Sequence, residues 1–147
     1  MIRRWRQFLA LDQGDRWLVI EAALLLTIVQ VGLRTVPFGV LRLMLARAKR
    51  LRRPQQSNGS RIAWAIGATA PVVPLRSCLR DALAADVMLA RRGFHPTLRF
   101  GIRKPHGNRL TLDAHAWLEC DGSIVAGRLE TLDQYLVLSN PATNGRL

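Results

Sequence analysis

Cysteine is scarce: Cys78 and Cys120 are the whole complement of a 147-residue chain. Two cysteines do not make a disulfide framework, so packing must hold the fold and the thiols stay free. Free thiols belong to a reducing compartment, and the expected location is cytoplasmic. Acidic residues are scarce as well. Ten Asp and Glu face 22 Lys and Arg, and the net charge of +12 implies attraction to something acidic, whether nucleic acid, anionic lipid or peptide. Aromatics reach only 6%. With few of them among the basic residues, and no nucleic-acid motif, DNA or RNA binding is not expected. His95, His106 and His115 have no zinc-type spacing with the cysteines, which leaves no metal to assign. No phosphate loop occurs, and no cofactor is expected. Internal repeats are missing. An unbroken membrane-length run is missing too: Glu21 and Gln30 interrupt the apolar segment from Trp17 to Leu33. Nor is this a signal peptide, because its arginines lie too far upstream and no small-residue cleavage site follows. It reads as a buried or partner-facing helix. What remains is a chain that is 49% hydrophobic, too apolar to be disordered and long enough for one domain with one core.

Residues 1–53 are helical in character. Gly14-Asp15 punctuates a helix start with Asp15 as N-cap, and apolar residues run to about Thr35. Pro37 suits the first turn of a second helix. Its Arg42, Arg47, Lys49, Arg50, Arg52 and Arg53 crowd toward the C-terminal end, where positive charge suits the helix dipole. That cluster is either a solvated face or a docking surface for an acidic partner. Residues 54–60 form a polar link, Ser60 starts a short helix, and "PVVPL" (71–75) is expected to be extended. In "RSCLRDALAADVMLARRG" Leu79, Ala82, Leu83, Val87 and Ala90 recur at helical spacing, with Ser77 as N-cap and Gly93 as the stop. Strands are expected at 97–103, 110–120, after the Asp121-Gly122 turn, and at 133–138, with a turn at 104–108 and a loose tail. Helices first, then a small antiparallel sheet, is an α+β layout.

Cys78 therefore sits in the first turn of an amphipathic helix. A helix start favours an ionised thiol through its dipole and its unpaired N–H groups, which can also serve an oxyanion. A lone cysteine is usually a small buried hydrophobe, and a lone strand histidine is usually structural. A cysteine at a helix start followed by a histidine on an antiparallel strand is, however, the arrangement a Cys–His acyl-transfer site needs. His115 is that histidine. Asp113, His115, Trp117 and Glu119 share one strand face, and Ala114, Ala116 and Leu118 the other. Cys120 is the weaker thiol, on the face opposite His115 and at a turn.

"SCLRDALAADVMLARRGFHPTLRFGI", followed by "AHAWLECDG", resembles the lasso-peptide maturation proteases, transglutaminase-like cysteine proteases that remove the leader from a precursor peptide. "FLALDQGDRWLVIEAALLL" and "VPFGVLRLML" are similar to that family's helical front end, so the resemblance spans nearly the whole chain. It implies a transglutaminase-like, papain-like core at 60–140, with the helical region 1–53 packed on that core or on a partner. It implies Cys78 as nucleophile and His115 as general base, with Trp117 and Glu119 completing the histidine motif structurally.

The family's usual acid lies on the returning strand, at the position held here by Gly127. If Gly122 takes the left-handed position of a type I turn with a G1 bulge, Glu119 pairs with Ser123 and His115 faces Gly127. A carboxylate there would touch the imidazole. Asp113, two residues back on the same face, is assigned as the substitute third catalytic residue. A backbone carbonyl or another side chain is the alternative, because the acid's role is to fix the imidazole's tautomer and orientation. Some relatives carry a fused leader-recognition domain, for which this chain leaves no room. The resemblance then implies a precursor peptide, a separate leader-recognition protein and a macrolactam-forming cyclase as partners. Two other readings compete. One is a non-catalytic leader-binding scaffold with a decayed site. The other, less favoured, is a basic membrane-peripheral protein using Trp5, Phe8 and the apolar helix.

Overall fold

The computed structural model describes residues 8–51, 58–74, 77–104 and 112–138. Trp5, Arg52, Arg53, Leu75, His106, Leu110, Thr111, most of the 104–108 turn and the tail from 139 lie outside the described residues.

Helix α1 (Gln13–Thr35) starts earlier than expected, because Asp12 and not Asp15 is its N-cap. A cap oxygen must reach the N–H three residues on, and the Asp12 carboxylate accepts from the Asp15 N–H at 2.7 Å. Asp15 instead pairs with Arg61 across the fold. Helix α2 (Phe38–Lys49) follows directly after Pro37. Helix α3 (Gly59–Thr69) is capped by Asn58 and not Ser60. Asn58 Oδ1 accepts from the Arg61 N–H at 3.0 Å and from the Ser60 hydroxyl at 2.7 Å. Each such cap contributes about 1 kcal/mol.

Residues 71–74 are not extended. The chain turns on itself, and the N–H groups of Val72 and Val73 return to Thr69 O at 2.9 and 3.3 Å. Two prolines leave this turn short of donors for its carbonyls, and a side chain supplies them. Arg80, on helix α4 (Cys78–Arg91), is fully buried. Its guanidinium donates to Val73 O, Pro74 O and Ala70 O at 3.1, 3.0 and 3.2 Å, and to Asp81 Oδ1 at 2.9 Å. No aliphatic residue can replace that planar fork. Arg80→Met is expected to lower stability by about 3–5 kcal/mol, read from urea unfolding. A loss below about 1 kcal/mol would show that water takes over its hydrogen bonds.

Ser77 caps α4 as expected, its Oγ accepting from the Arg80 N–H at 3.3 Å. Gly93 stops it at φ 86°, with Phe94 N–H returning to Leu89 O at 3.2 Å and Gly93 N–H to Ala90 O at 3.1 Å. This crossed pair is the Schellman closure that glycine permits.

The strands β1 (Thr97–Arg103), β2 (Asp113–Cys120), β3 (Ser123–Ala126) and β4 (Leu136–Leu138) form one sheet in the order β3-β2-β1-β4. Every neighbouring pair is antiparallel. The architecture is α+β. Helices and sheet share one core, in which Leu26 and Val29 of α1 and Leu41 of α2 join Val87 and Met88 of α4 and Leu118, Cys120 and Ala126 of the sheet. An ion pair locks α1 to α4: Glu21 accepts from Arg91 at 3.0 Å and from Arg92 at 2.6 Å.

Candidate active site

Cys78 is the first residue of α4 and is half-buried. The N–H groups at such a position precede the intrahelical ladder and point out of the helix start. Burial separates the second thiol from the first. Cys120 is 6% exposed, and burial, followed by the neighbouring Asp121, pushes its thiol up.

His115 lies in the middle of β2, paired across the sheet with Gly101 of β1. Its Nε2 is 2.6 Å from Gly127 O. A carbonyl oxygen only accepts, so Nε2 carries the hydrogen, and in the neutral ring Nδ1 carries the lone pair. One backbone group thereby selects which nitrogen can act as base. Two aromatic rings lie against the imidazole. Trp117 stacks on it with centroids 6.2 Å apart, and the Tyr135 ring lies 5.6 Å away, tilted by 50°. Gly101 makes the room: a Cβ there would stand 2.9 Å from both the Trp117 ring and Tyr135 Cβ. Trp117 Nε1 donates to Glu119 at 2.9 Å, and Glu119 also accepts from Arg99 at 3.2 Å. The polar face of β2 is thus a connected row that immobilises the imidazole.

Asp113 bonds elsewhere. Its carboxylate accepts from the Tyr135 hydroxyl and from Arg103, each at 2.7 Å. The Tyr135 bond and then the Arg103 bond hold its acid below the usual carboxylate range. The arrangement therefore persists as pH falls through that range and is lost only when pH passes the lowered value. The same bond, then burial, raises the Tyr135 phenol, and negative charge on Cys78 raises it further. Among the described residues Cys78 and His115 share no hydrogen bond, and the group that lies against the imidazole while bonding Asp113 is Tyr135. Among the described residues Asp113 shares no hydrogen bond with the imidazole, and its bonds go to Tyr135 and Arg103. Asp113→Asn keeps an acceptor for Tyr135, so it is expected to slow turnover by no more than about tenfold. A loss on the order of 10³ would make Asp113 the direct orienting group.

The hairpin corrects the expected register. Asp121 and Gly122 both have positive φ, 49° and 74°, which makes a two-residue type I′ turn, and Cys120 rather than Glu119 pairs with Ser123. A bulge then shifts β3, so that Leu118 pairs with Ala126. Gly127 comes to lie against Ala116 and Trp117 at φ 76°, where a Cβ would be 2.5 Å from Ala116 O and 2.9 Å from Trp117 Cα. A side-chain carboxylate has no place here. The main-chain carbonyl reaches His115 instead.

An open hollow of about 600 Å³ lies at the far end of the sheet, lined by Ile102, Arg103, Lys104, Leu112, Gln134 and Leu136; Ile102 and Leu136 are on the Ala114 face, opposite His115, and neither Cys78 nor His115 lines it.

No curated protein and no solved structure matches the chain. A family model described as the transglutaminase-like superfamily matches residues 23–140, a span that holds the cysteine helix, the histidine strand and the whole described sheet. A match of that extent decides the family: the chain belongs to the transglutaminase-like superfamily.

Proposed function

We propose that the chain is a cysteine peptidase that removes the leader from a lasso-peptide precursor. Cysteine peptidases occur within this superfamily. The observation that carries the reading is the imidazole itself, held by Gly127 O in the tautomer that leaves Nδ1 basic. In this reaction His115 takes the Cys78 proton, and the sulfur attacks the carbonyl at the leader–core junction. The N–H groups at the start of α4 receive the oxyanion. The imidazolium returns its proton to the departing amine, which frees the core peptide and leaves the leader as a thioester on Cys78. Water, deprotonated by the same imidazole, cleaves that thioester, releases the leader as a carboxylate and restores the thiol.

In this proposal a separate recognition protein delivers the leader, and a cyclase consumes the freed amine, all in the cytoplasm. Remote binding energy positions the scissile bond, so the chain alone should cut slowly. The test is mass spectrometry of full-length precursor incubated with the chain, with and without the recognition protein. A single cut at the junction, accelerated by the recognition protein, is expected. The lack of a carboxylate at 127 favours the leader-binding scaffold as the second reading. Absence of cleavage, with Cys78 inert to a thiol probe, would establish it.

A further inference from the structure

We infer that the outward faces of α1 and α2 dock on an anionic lipid bilayer, with the protein lying on the membrane and not crossing it. No residue of the peptidase site takes part.

From Trp17 to Val31 the exposed positions of α1 are Trp17, Ile20, Leu24, Thr27, Ile28 and Val31. They recur at helical spacing and form one stripe with no charge in it. Trp17 is 61% exposed and Leu24 59%, so the stripe is left bare by the rest of the fold. Its one hydroxyl is satisfied internally, Thr27 Oγ1 donating to Ala23 O at 2.8 Å. A hydroxyl that meets lipid must do this. Helix α2 adds Val40, Leu43 and Met44, of which Leu43 is 68% exposed. Gly32 lets Leu41 close in, so the two helices abut and their inner faces enter the same core.

Charge selects the occupant. Arg34 continues the α1 stripe one turn beyond Val31, and Arg47 and Arg50 continue the α2 face beyond Leu43 and Met44. All three are exposed. No acidic residue occurs between Glu21 and Asp81, and the acids that α1 carries, Asp15 and Glu21, pair with Arg61 and with Arg91 and Arg92 instead. A second copy of the chain would bring this uncompensated positive charge against itself. Anionic headgroups around an apolar slab match it, with arginine stems lying along the apolar surface and their heads at the phosphates.

The depth follows from the other face. α1 is long and apolar enough to cross a bilayer by length and composition, with a mean hydropathy of 1.7 over its most apolar window. Yet Leu18, Ala22, Leu25, Leu26 and Val29 are buried in the protein core, and Glu21 on the inner side pairs with Arg91 and Arg92. Insertion would dismantle that core. The helix can offer lipid only its outer half.

The experiment is flotation of the full chain with vesicles of phosphatidylcholine alone and of phosphatidylcholine with phosphatidylglycerol. Binding to the anionic vesicles only, weakened by salt and released by alkaline carbonate, is expected. Each arginine at such a surface strengthens binding about fivefold, so Arg47→Gln with Arg50→Gln should weaken it roughly 25-fold. Leu24→Ser with Ile28→Ser should abolish it while circular dichroism stays unchanged. A folded chain that ignores both vesicle types overturns the inference. So does a chain that carbonate cannot release. A dimer, or a complex with the leader-recognition protein, that the Leu24/Ile28 double variant disrupts in place of vesicle binding would assign the face to protein and overturn it as well. Cys78→Ala should float like the wild type, which separates this outcome from any failure of the peptidase reading.

Discussion

Cys78→Ala is expected to stop cleavage of the precursor and leave the fold intact. Alanine suits a first-turn helix position, and the Cys78 side chain is half-buried rather than part of the core, so little packing is lost. The chemistry has no substitute. Without sulfur there is no thioester, and water attacking the amide directly lacks the covalent step. The rate should fall by more than about 10⁴-fold, the scale found when a nucleophile that works as a unit with its base is removed. Cys120→Ala is the control. That thiol is buried and its ionisation is disfavoured, so the variant should cut at near the normal rate and lose on the order of 1 kcal/mol of stability. Wild-type cleavage by Cys78→Ala would sink the assignment, and a folded but dead Cys120→Ala would mean that the other thiol is the nucleophile.

Gly127→Ala should be nearly as damaging, for a reason that lies in the backbone. The added methyl would sit 2.5 Å from Ala116 O, on a residue at φ 76°, a conformation that disfavours a side chain. The left-handed conformation alone costs about 1–2 kcal/mol. The end of β3 must move, and its carbonyl then leaves His115 Nε2. Loss of the group that fixes the tautomer costs on the order of 10²–10⁴ in rate in comparable sites. Imidazole ¹⁵N shifts would show the change directly, from one Nε2–H form to a mixture. Gly127→Asp resembles a repair, because it places an acid where the resemblance led one to be expected. It should fail equally, since the clash comes from the Cβ and not from the carboxylate it bears. An active Gly127→Asp would show that β3 relaxes enough to admit the acid.

Much of this site was legible in the chain. Ser77 and Gly93 announced the limits of the cysteine helix by their own conformational preferences, and alternation placed His115, Trp117 and Glu119 on one face. The α+β order came from periodicity alone. Four features were not legible. The Asp121-Gly122 pair permits both a type I and a type I′ turn, and a bulge elsewhere in β3 is set by packing, so local residues could not fix the register. Gly127 looked like a missing acid because a glycine names no role for its carbonyl. Tyr135, the sole tyrosine, comes to the imidazole through β4 pairing with β1, a contact distant in sequence. Nothing in the spacing of Arg80 signals a buried charge, and only the tertiary path of residues 70–74 brings it three carbonyls.

The pair that joins α1 to α4 bears on how the molecule comes apart. Glu21 precedes the first residue matched by the family model, yet its carboxylate is 11% exposed and answers two guanidiniums, one of them 8% exposed. A chain trimmed to begin at residue 23 would leave those positive groups in place and remove their counter-ion, an imbalance of about 3–5 kcal/mol. The span recognised by similarity is therefore smaller than the span that folds. Amide exchange in α1 is accordingly expected to track opening of the cysteine helix, and faster exchange throughout α1 would contradict this.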